Sequence, residues 1–207
     1  MEQGSQEWLE ARLGMVTASR IVDAVAGGSG ATRASYLNEI VTELMTGPQQ
    51  GYTNPYMEWG IEHEPKARQL YELLHGVEVE EVGFIPHPSI NRTGASPDGL
   101  VGDDGLIEIK CPASKTHAQF LLDGKIPRKY DLQMLWQMEC TGRKWCDFVS
   151  FDPRFEPELQ LVVKRVEFDE KKAVQTREKV VEFINELEGL ILKIEEIKEK
   201  ANASYKK

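Results

Sequence analysis

Between the turn Gly102-Asp103-Asp104-Gly105 and Pro112 the chain reads Leu-Ile-Glu-Ile-Lys-Cys, a period-two run of strand-forming residues. Successive side chains of a strand alternate faces, so Ile107 and Ile109 share one face and Glu108 and Lys110 the other. The apolar pair is expected in the core. The preceding run, residues 94–101, carries Asp98, and the four-residue turn folds the two strands back into a hairpin. Two carboxylates and an ammonium then converge. Carboxylate oxygens suit a hard divalent cation such as Mg²⁺, and a lysine beside them can orient or help deprotonate a bound water. A surface hairpin with one cross-strand ion pair uses the same residues, and spacing alone leaves both readings open.

The rest of the chain reads as helices first, then strands, then helices and strands mixed. Helical spacing covers residues 5–14, ending at Gly14, and a second helix starts with Thr17 or Ser19 as its N-cap and closes at Gly27 and Gly28. A third helix covers 34–45. A long one runs from about 54 to 74 before Gly76, with an apolar stripe of Ile61, Ala67, Leu70, Tyr71 and Leu74, and with Pro65 tolerable only at a kink or near a helix start. Strands are expected at 78–86, 94–101 and 106–111, helices at 114–122 and 128–140, strands at 145–151 and 159–167, and a final helix over about 170–200 with a frayed tail at 202–207. That last helix shows a stripe from Val180 through Ile197, read as packing against its own domain. At 207 residues one domain accommodates the whole chain.

No apolar run reaches the roughly 18–20 residues of a membrane span, and the start lacks a basic-then-apolar leader, so a cytoplasmic protein is expected. Three scattered cysteines supply neither a disulfide framework nor a metal-binding quartet. The net charge of −9 argues against a polyanion partner until its distribution is considered. Residues 110–144 hold seven Lys/Arg against three acids, a local balance of +4 that leaves −13 for the remainder. A basic block beside an acidic cluster suits a metal-dependent nuclease; a run of exposed lysines also describes a solvated face.

The segment "SPDG…IEIKCP" resembles the PD-(D/E)XK motif, with Pro97-Asp98 and Glu108-Ile109-Lys110 as its halves. Taken in order, "RLGMVTAS", "WGIEHEPKAR", "ASPDGL", "EIKCP" and "YDLQMLWQM" resemble the YqaJ-type viral recombinases typified by phage lambda exonuclease, over roughly residues 5–155. The resemblance implies an α/β, restriction-endonuclease-like fold, a central mixed sheet flanked by helices. It also implies a Mg²⁺-dependent 5′→3′ exonuclease on linear double-stranded DNA that leaves 3′ overhangs and releases 5′-mononucleotides in phage-type recombination. Two Mg²⁺ ions are implied, with Mn²⁺ as a substitute.

By the same resemblance Asp98 bridges the metals, Glu108 and the Ile109 main-chain carbonyl complete one metal's protein ligands, and Lys110 contacts the attacking water. Glu64 sits beside the metals from the long helix, with Glu62 as the other candidate, and Gln133 positions water or the neighbouring acids. Arg12 and Ser19 hold the 5′-terminal phosphate of a DNA end, aided by Thr17 and Ser96, and Arg33 is a candidate for separating strands from the glycine-rich segment 26–36. Implied partners are double-stranded DNA ends and a single-strand annealing protein, in a homotrimeric ring within a bacterial host's cytoplasm.

Each residue also has a plainer account. Glu62 and Glu64 can be exposed helix acids paired with Lys66 or Arg68, Gln133 and Gln137 can form an ordinary polar stripe, and Arg12 can be a solvated helix-end arginine. Two other functions use the same residues: a structure-specific or restriction-like endonuclease, which would cut closed DNA, and a catalytically silent DNA-end or annealing-protein adaptor.

Overall fold

The computed structural model describes residues 1–27, 31–48 and 54–205. The order is α1 (Gln6–Arg12), β1 (Val16–Thr17), a 3₁₀ turn (Ala18–Arg20) running into α2 (Ile21–Ala24), α3 (Ala31–Thr46), α4 (Pro55–His75), β2 (Val79–Glu80) and β3 (Ile85–Pro86). Then follow β4 (Thr93–Ala95), β5 (Gly99–Val101), β6 (Gly105–Lys110), α5 (Ser114–Asp123), α6 (Arg128–Thr141), β7 (Trp145–Phe151), β8 (Leu161–Glu167) and α7 (Glu170–Tyr205).

The central sheet has the order β2-β5-β6-β7-β8, with β6 and β7 parallel and every other pair antiparallel. A second, three-stranded sheet joins β1, β4 and β3. Two of the expected strands are therefore each divided between sheets: residues 78–86 become β2 and β3, and residues 94–101 become β4 and β5. The second break falls at Ser96-Pro97-Asp98, where Pro97 has no N–H to donate to a ladder. Asp98 thus sits on the link between sheets, next to Gly99, where an added Cβ would lie 2.1 Å from Val79 Cγ1.

Both faces of β6 are covered. Ile107 and Ile109 pack with Ala67 and Tyr71 of α4, while Leu106 packs with Phe120 of α5 and Met134 and Met138 of α6. Glu108 therefore points into the protein, fully buried, rather than to a surface. A third cluster joins α2, α3, α6 and α7 through Ile21, Ile40, Trp136 and Phe183. Helix α6 belongs to two clusters, Met134 and Met138 meeting the sheet and Leu132, Leu135 and Trp136 the helical layer, so apolar side chains surround it.

Helix α4 begins where Asn54 accepts from the N–H groups of Tyr56 and Met57 and ends at Gly76, whose φ of 64° is left-handed. It runs unbroken through Pro65, deep in its interior, which leaves the Ile61 carbonyl without its intrahelical donor. The expected stripe is corrected at two places. Ile61 is 69% exposed, about 120° around the helix from Ala67 at 100° per residue, and Leu74, in the last turn, is 61% exposed. His63, Ala67 and Tyr71 are the buried positions.

The expected helix from Thr17 or Ser19 is a short 3₁₀ turn plus one α turn; Thr17 occupies the N-cap position without a side-chain cap bond, and Gly28 lies outside the described residues. Helix α7 buries Val180, Phe183, Ile184 and Leu187 against its own chain, with Leu190 and Ile191 half-buried on the same cluster, but Ile197 is exposed, so the packing fades before the end of the expected stripe. Residues 202–205, expected to fray, continue the helix.

Candidate active site

Asp98, Glu108 and Lys110 meet as the hairpin geometry requires. The Ile109 N–H donates to Asp98 Oδ2 at 2.7 Å, which ties the link between sheets to β6. Lys110 Nζ pairs closely with Glu108 Oε1 and lies 3.9 Å from Asp98 Oδ2, so one ammonium serves two carboxylates. Two amides of α6 complete the grip: Gln133 Nε2 donates to Glu108 Oε1 at 2.7 Å and Gln137 Nε2 to Glu108 Oε2 at 2.6 Å. The aromatic face of Tyr130, 5.4 Å from Lys110 Nζ, lines the same region.

The electrostatics follow from burial and crowding. Burial, and then the Glu108 charge, push the Asp98 carboxyl well above the usual range. Burial alone would depress Lys110, but Glu108 and Asp98 outweigh it and hold its ammonium above the ordinary lysine range. Burial lifts the Glu64 carboxyl, opposed by Arg68 and Lys110. Burial also pushes the Cys111 thiol up to about 12, so the cysteine in this cleft is no nucleophile at neutral pH.

The cleft beside these groups is lined by Ser19, Met57, Ile61, Glu64, Ile109, Lys110, Tyr130 and Gln133. Glu64 thus joins the site, held by Arg68 Nη2 at 2.8 Å, while Arg68 Nη1 reaches Glu81 at 2.9 Å. Glu62 is exposed and pairs with Lys66, which removes it as the helix acid.

A second recess holds Arg12 and Thr17, with Trp8, Arg20 and Tyr36. Arg12 stacks on Trp8 at 3.8 Å, and Trp8 Nε1 donates to Ser96 Oγ at 2.9 Å, so Ser96 connects to Arg12 through the indole. Thr17 Oγ1 and Ser19 Oγ lie 3.3 Å apart, linking this recess to the cleft that Ser19 lines. Arg20 is tied to Asp23 and Glu39, whereas Arg12 has no ion pair among the described residues. Arg33 goes elsewhere. It makes a two-pronged pair with Glu186 of α7 at 2.6 and 2.9 Å and lines neither the cleft nor the Arg12 recess. Of the segment proposed to separate strands, residues 28–30 lie outside the described residues.

Among the described residues no three His, Cys, Asp or Glu side chains cluster as a ready-made metal cage. The donor set is instead two carboxylates, Asp98 and Glu108, with the Ile109 carbonyl on the strand between Glu108 and Lys110. That set fits Mg²⁺, which binds through one or two carboxylates and keeps several waters, and whose charge would offset the burial and the Glu108 repulsion that hold Asp98 high. Two contributors were given no role at the site from sequence, Gln137 and Gln3, whose amide donates to the Pro97 carbonyl at 2.9 Å, while the pairing of Glu64 with Arg68 appears as the plainer account of that acid had it. Gln137 had a signal, its i, i+4 spacing from Gln133; Gln3 had none, since its partner lies 94 positions away.

The model of the YqaJ-like viral recombinase domain matches residues 7–144. The chain belongs to this family. Among solved structures, the alkaline exonuclease LHK-Exo of Laribacter hongkongensis is 45% identical, with a TM-score of 0.87 over 96% of this chain and 99% of that one. The same enzyme in complex with dAMP gives a TM-score of 0.88 at the same identity and coverage. A phage-related exonuclease from Haemophilus somnus 129PT shares the fold at 15% identity, with a TM-score of 0.68 over 87% of this chain and 96% of that one. No curated protein matches the chain. For this YqaJ-like chain the expected α/β, restriction-endonuclease-like fold is correct: a mixed central sheet with helices on both faces. No helix among the described residues is long and apolar enough to cross a membrane.

Proposed function

We propose that this YqaJ-like protein is a Mg²⁺-dependent 5′→3′ exonuclease that degrades one strand of linear double-stranded DNA. It leaves a 3′ overhang and releases 5′-mononucleotides during phage-type recombination. The observation that carries this reading is the cleft where Lys110 lies between the carboxylates of Asp98 and Glu108, adjoined by a recess in which Arg12 has no ion pair among the described residues. The 45% identity to an alkaline exonuclease, and that enzyme's complex with a deoxynucleoside monophosphate, agree with it.

The roles follow from the chemistry of each group. Asp98, Glu108 and the Ile109 carbonyl would hold Mg²⁺, probed equally by Mn²⁺, which supplies Lewis acidity toward the phosphodiester and lowers the pKa of a bound water. Lys110 orients the attacking water and balances the carboxylates. Gln133, donating to Glu108 while lining the cleft, fixes that acid beside the reacting groups. Glu64, its carboxyl raised by burial, accepts protons at the cleft wall more readily than an exposed acid. Arg12, stacked on Trp8 and without an ion pair among the described residues, offers a planar fork to a terminal phosphate; Thr17 lines the same recess, Ser19 lies beside Thr17, and Ser96 is reached through the Trp8 indole. A terminus held there sets the adjacent bond over the carboxylates, which makes cutting end-dependent. In this reading the overhang passes to a single-strand annealing protein, and the enzyme works as a homotrimer around DNA in a bacterial host's cytoplasm.

The deciding assay uses a linear duplex labelled at one 5′ end and the opposite 3′ end, beside a covalently closed circle, with EDTA and Lys110→Ala as controls. Release of the 5′ label as mononucleotide, with the other strand and the circle intact, is expected. Cutting of the circle would transfer the site to an endonuclease and remove the end-holding role of Arg12. Wild-type turnover in Lys110→Ala would overturn the catalytic assignment.

A further inference from the structure

Glu108 is held from two sides by α6, and the two holders differ in kind. Gln133 is partly exposed and lines the cleft. Gln137, one turn further, is 0% exposed and flanked by Trp136 and Met138, both also buried, so it reaches neither water nor substrate. Its backbone carbonyl accepts from Thr141 Oγ1 at 2.8 Å, and its Nε2 donates to Glu108 Oε2 at 2.6 Å. Its own Oε1 is buried with no hydrogen-bond partner among the described residues. An unsatisfied carbonyl in an apolar layer works against folding, and an apolar side chain of the same length would fit that layer better. The opposite amide orientation would set Oε1 against the Glu108 oxygen, so the carboxylate itself fixes which way the amide points.

We infer that Gln137 is a positioning residue for the catalytic centre, retained at a cost to the core because it locks Glu108 in the orientation its ligand role needs. With one amide on each oxygen the carboxylate plane is held against rotation, and Oε1 keeps its contact with Lys110. Gln133 can in addition meet water; Gln137 acts through Glu108 alone. This inference rests on the metal-dependent nuclease proposed above.

The test compares full-length wild type with Gln137→Met and Gln137→Leu. Metal-free melting temperature, the Mg²⁺ dependence of that melting temperature without DNA, and kcat and KM on a linear duplex across Mg²⁺ concentrations are measured for each. Expected for Gln137→Met is a metal-free melting temperature equal to or above wild type, a Mg²⁺ requirement about 10–100-fold higher in both the melting and the rate assays, and an unchanged KM for DNA. Partners that orient metal ligands give losses of that size when removed. A folded Gln137→Met with wild-type Mg²⁺ dependence would overturn the inference. So would loss of folding in both apolar variants, because the amide would then serve the core and not the site. If wild type itself neither responds to Mg²⁺ nor cuts DNA, the proposed function fails; if it does both and Gln137→Met matches it, only the role of Gln137 fails.

Discussion

Replacing Lys110 by Met keeps the stem and removes the ammonium between two buried carboxylates. Glu108 is fully buried, whereas Lys110 is 26% exposed, so water screens part of what is lost. Removing one partner of a buried pair costs about 3–5 kcal/mol, and the partial exposure of Lys110 points to the lower end, about 3 kcal/mol. For a chain of this size each kcal/mol lowers the melting temperature by roughly 2–4 °C, so a fall of about 6–12 °C is expected without metal at neutral pH. The deficit depends on pH. Burial, then Glu108, make Asp98 harder to ionise in the folded chain than in the unfolded one, so the folded state retains a proton that the unfolded state releases. That contribution to stability is complete below the ordinary aspartate value of about 4 and is lost as pH rises through the raised folded value. Without the lysine the folded value rises further, so Lys110→Met should match wild type near pH 4 and fall behind it toward neutral and alkaline pH. Mg²⁺ at about 100 times its dissociation constant should restore about 2.7 kcal/mol to any variant that still binds it. Thermal unfolding across pH, with and without Mg²⁺, measures all three effects. A metal-free deficit under about 2 °C at pH 8, or one independent of pH, would refute the idea that Lys110 neutralises this carboxylate pair.

Arg12→Ala removes a guanidinium that, among the described residues, has no ion pair. Charge-assisted bonds of about 1.5–3 kcal/mol predict a KM about 10–100-fold higher on 5′-phosphorylated ends, with 5′-hydroxyl ends unaffected; equal loss on both would end the phosphate assignment. Phe183, fully buried and stacked on Tyr36 at 5.4 Å, ties α7 to α3. Phe183→Ala should cost about 3–5 kcal/mol and roughly 6–20 °C of melting temperature while leaving the Mg²⁺ requirement unchanged, as a Mg²⁺ titration of cleavage at low temperature would check.

The meeting of Glu108 and Lys110 was legible because period-two alternation fixes which side chains share a face; the two had to lie together once residues 106–111 were a strand. The expected strand at 145–151 is β7, and the helices expected at 114–122 and 128–140 are α5 and α6 nearly residue for residue. The sequence did not reveal that Glu108 points inward, because alternation separates two faces without saying that each is covered, and β6 is covered by α4 on one side and by α5 and α6 on the other. It also missed the division of 94–101 at Pro97, where strand-forming residues flank a position unable to join a ladder. Arg33 shows a third limit. Its partner, Glu186, lies 153 positions away, and no local pattern carries a contact of that span.

Helices α1 and α6 supply the two parts of the site from opposite conditions of packing. Helix α6, which presents Gln133 and Gln137, is enclosed by two cores, so exposing its backbone to exchange requires melting both. Helix α1, which presents Arg12, has seven residues and buries none of them; the Ser5 cap and the Trp8 to Ser96 bond fasten it. Local opening at α1 therefore costs less than opening at α6, and amide exchange is expected to be faster over residues 6–12 than over 128–141. In the function proposed above, the arginine assigned to the terminal phosphate therefore sits on the element that opens most easily, and the amides that hold Glu108 on the one that opens last.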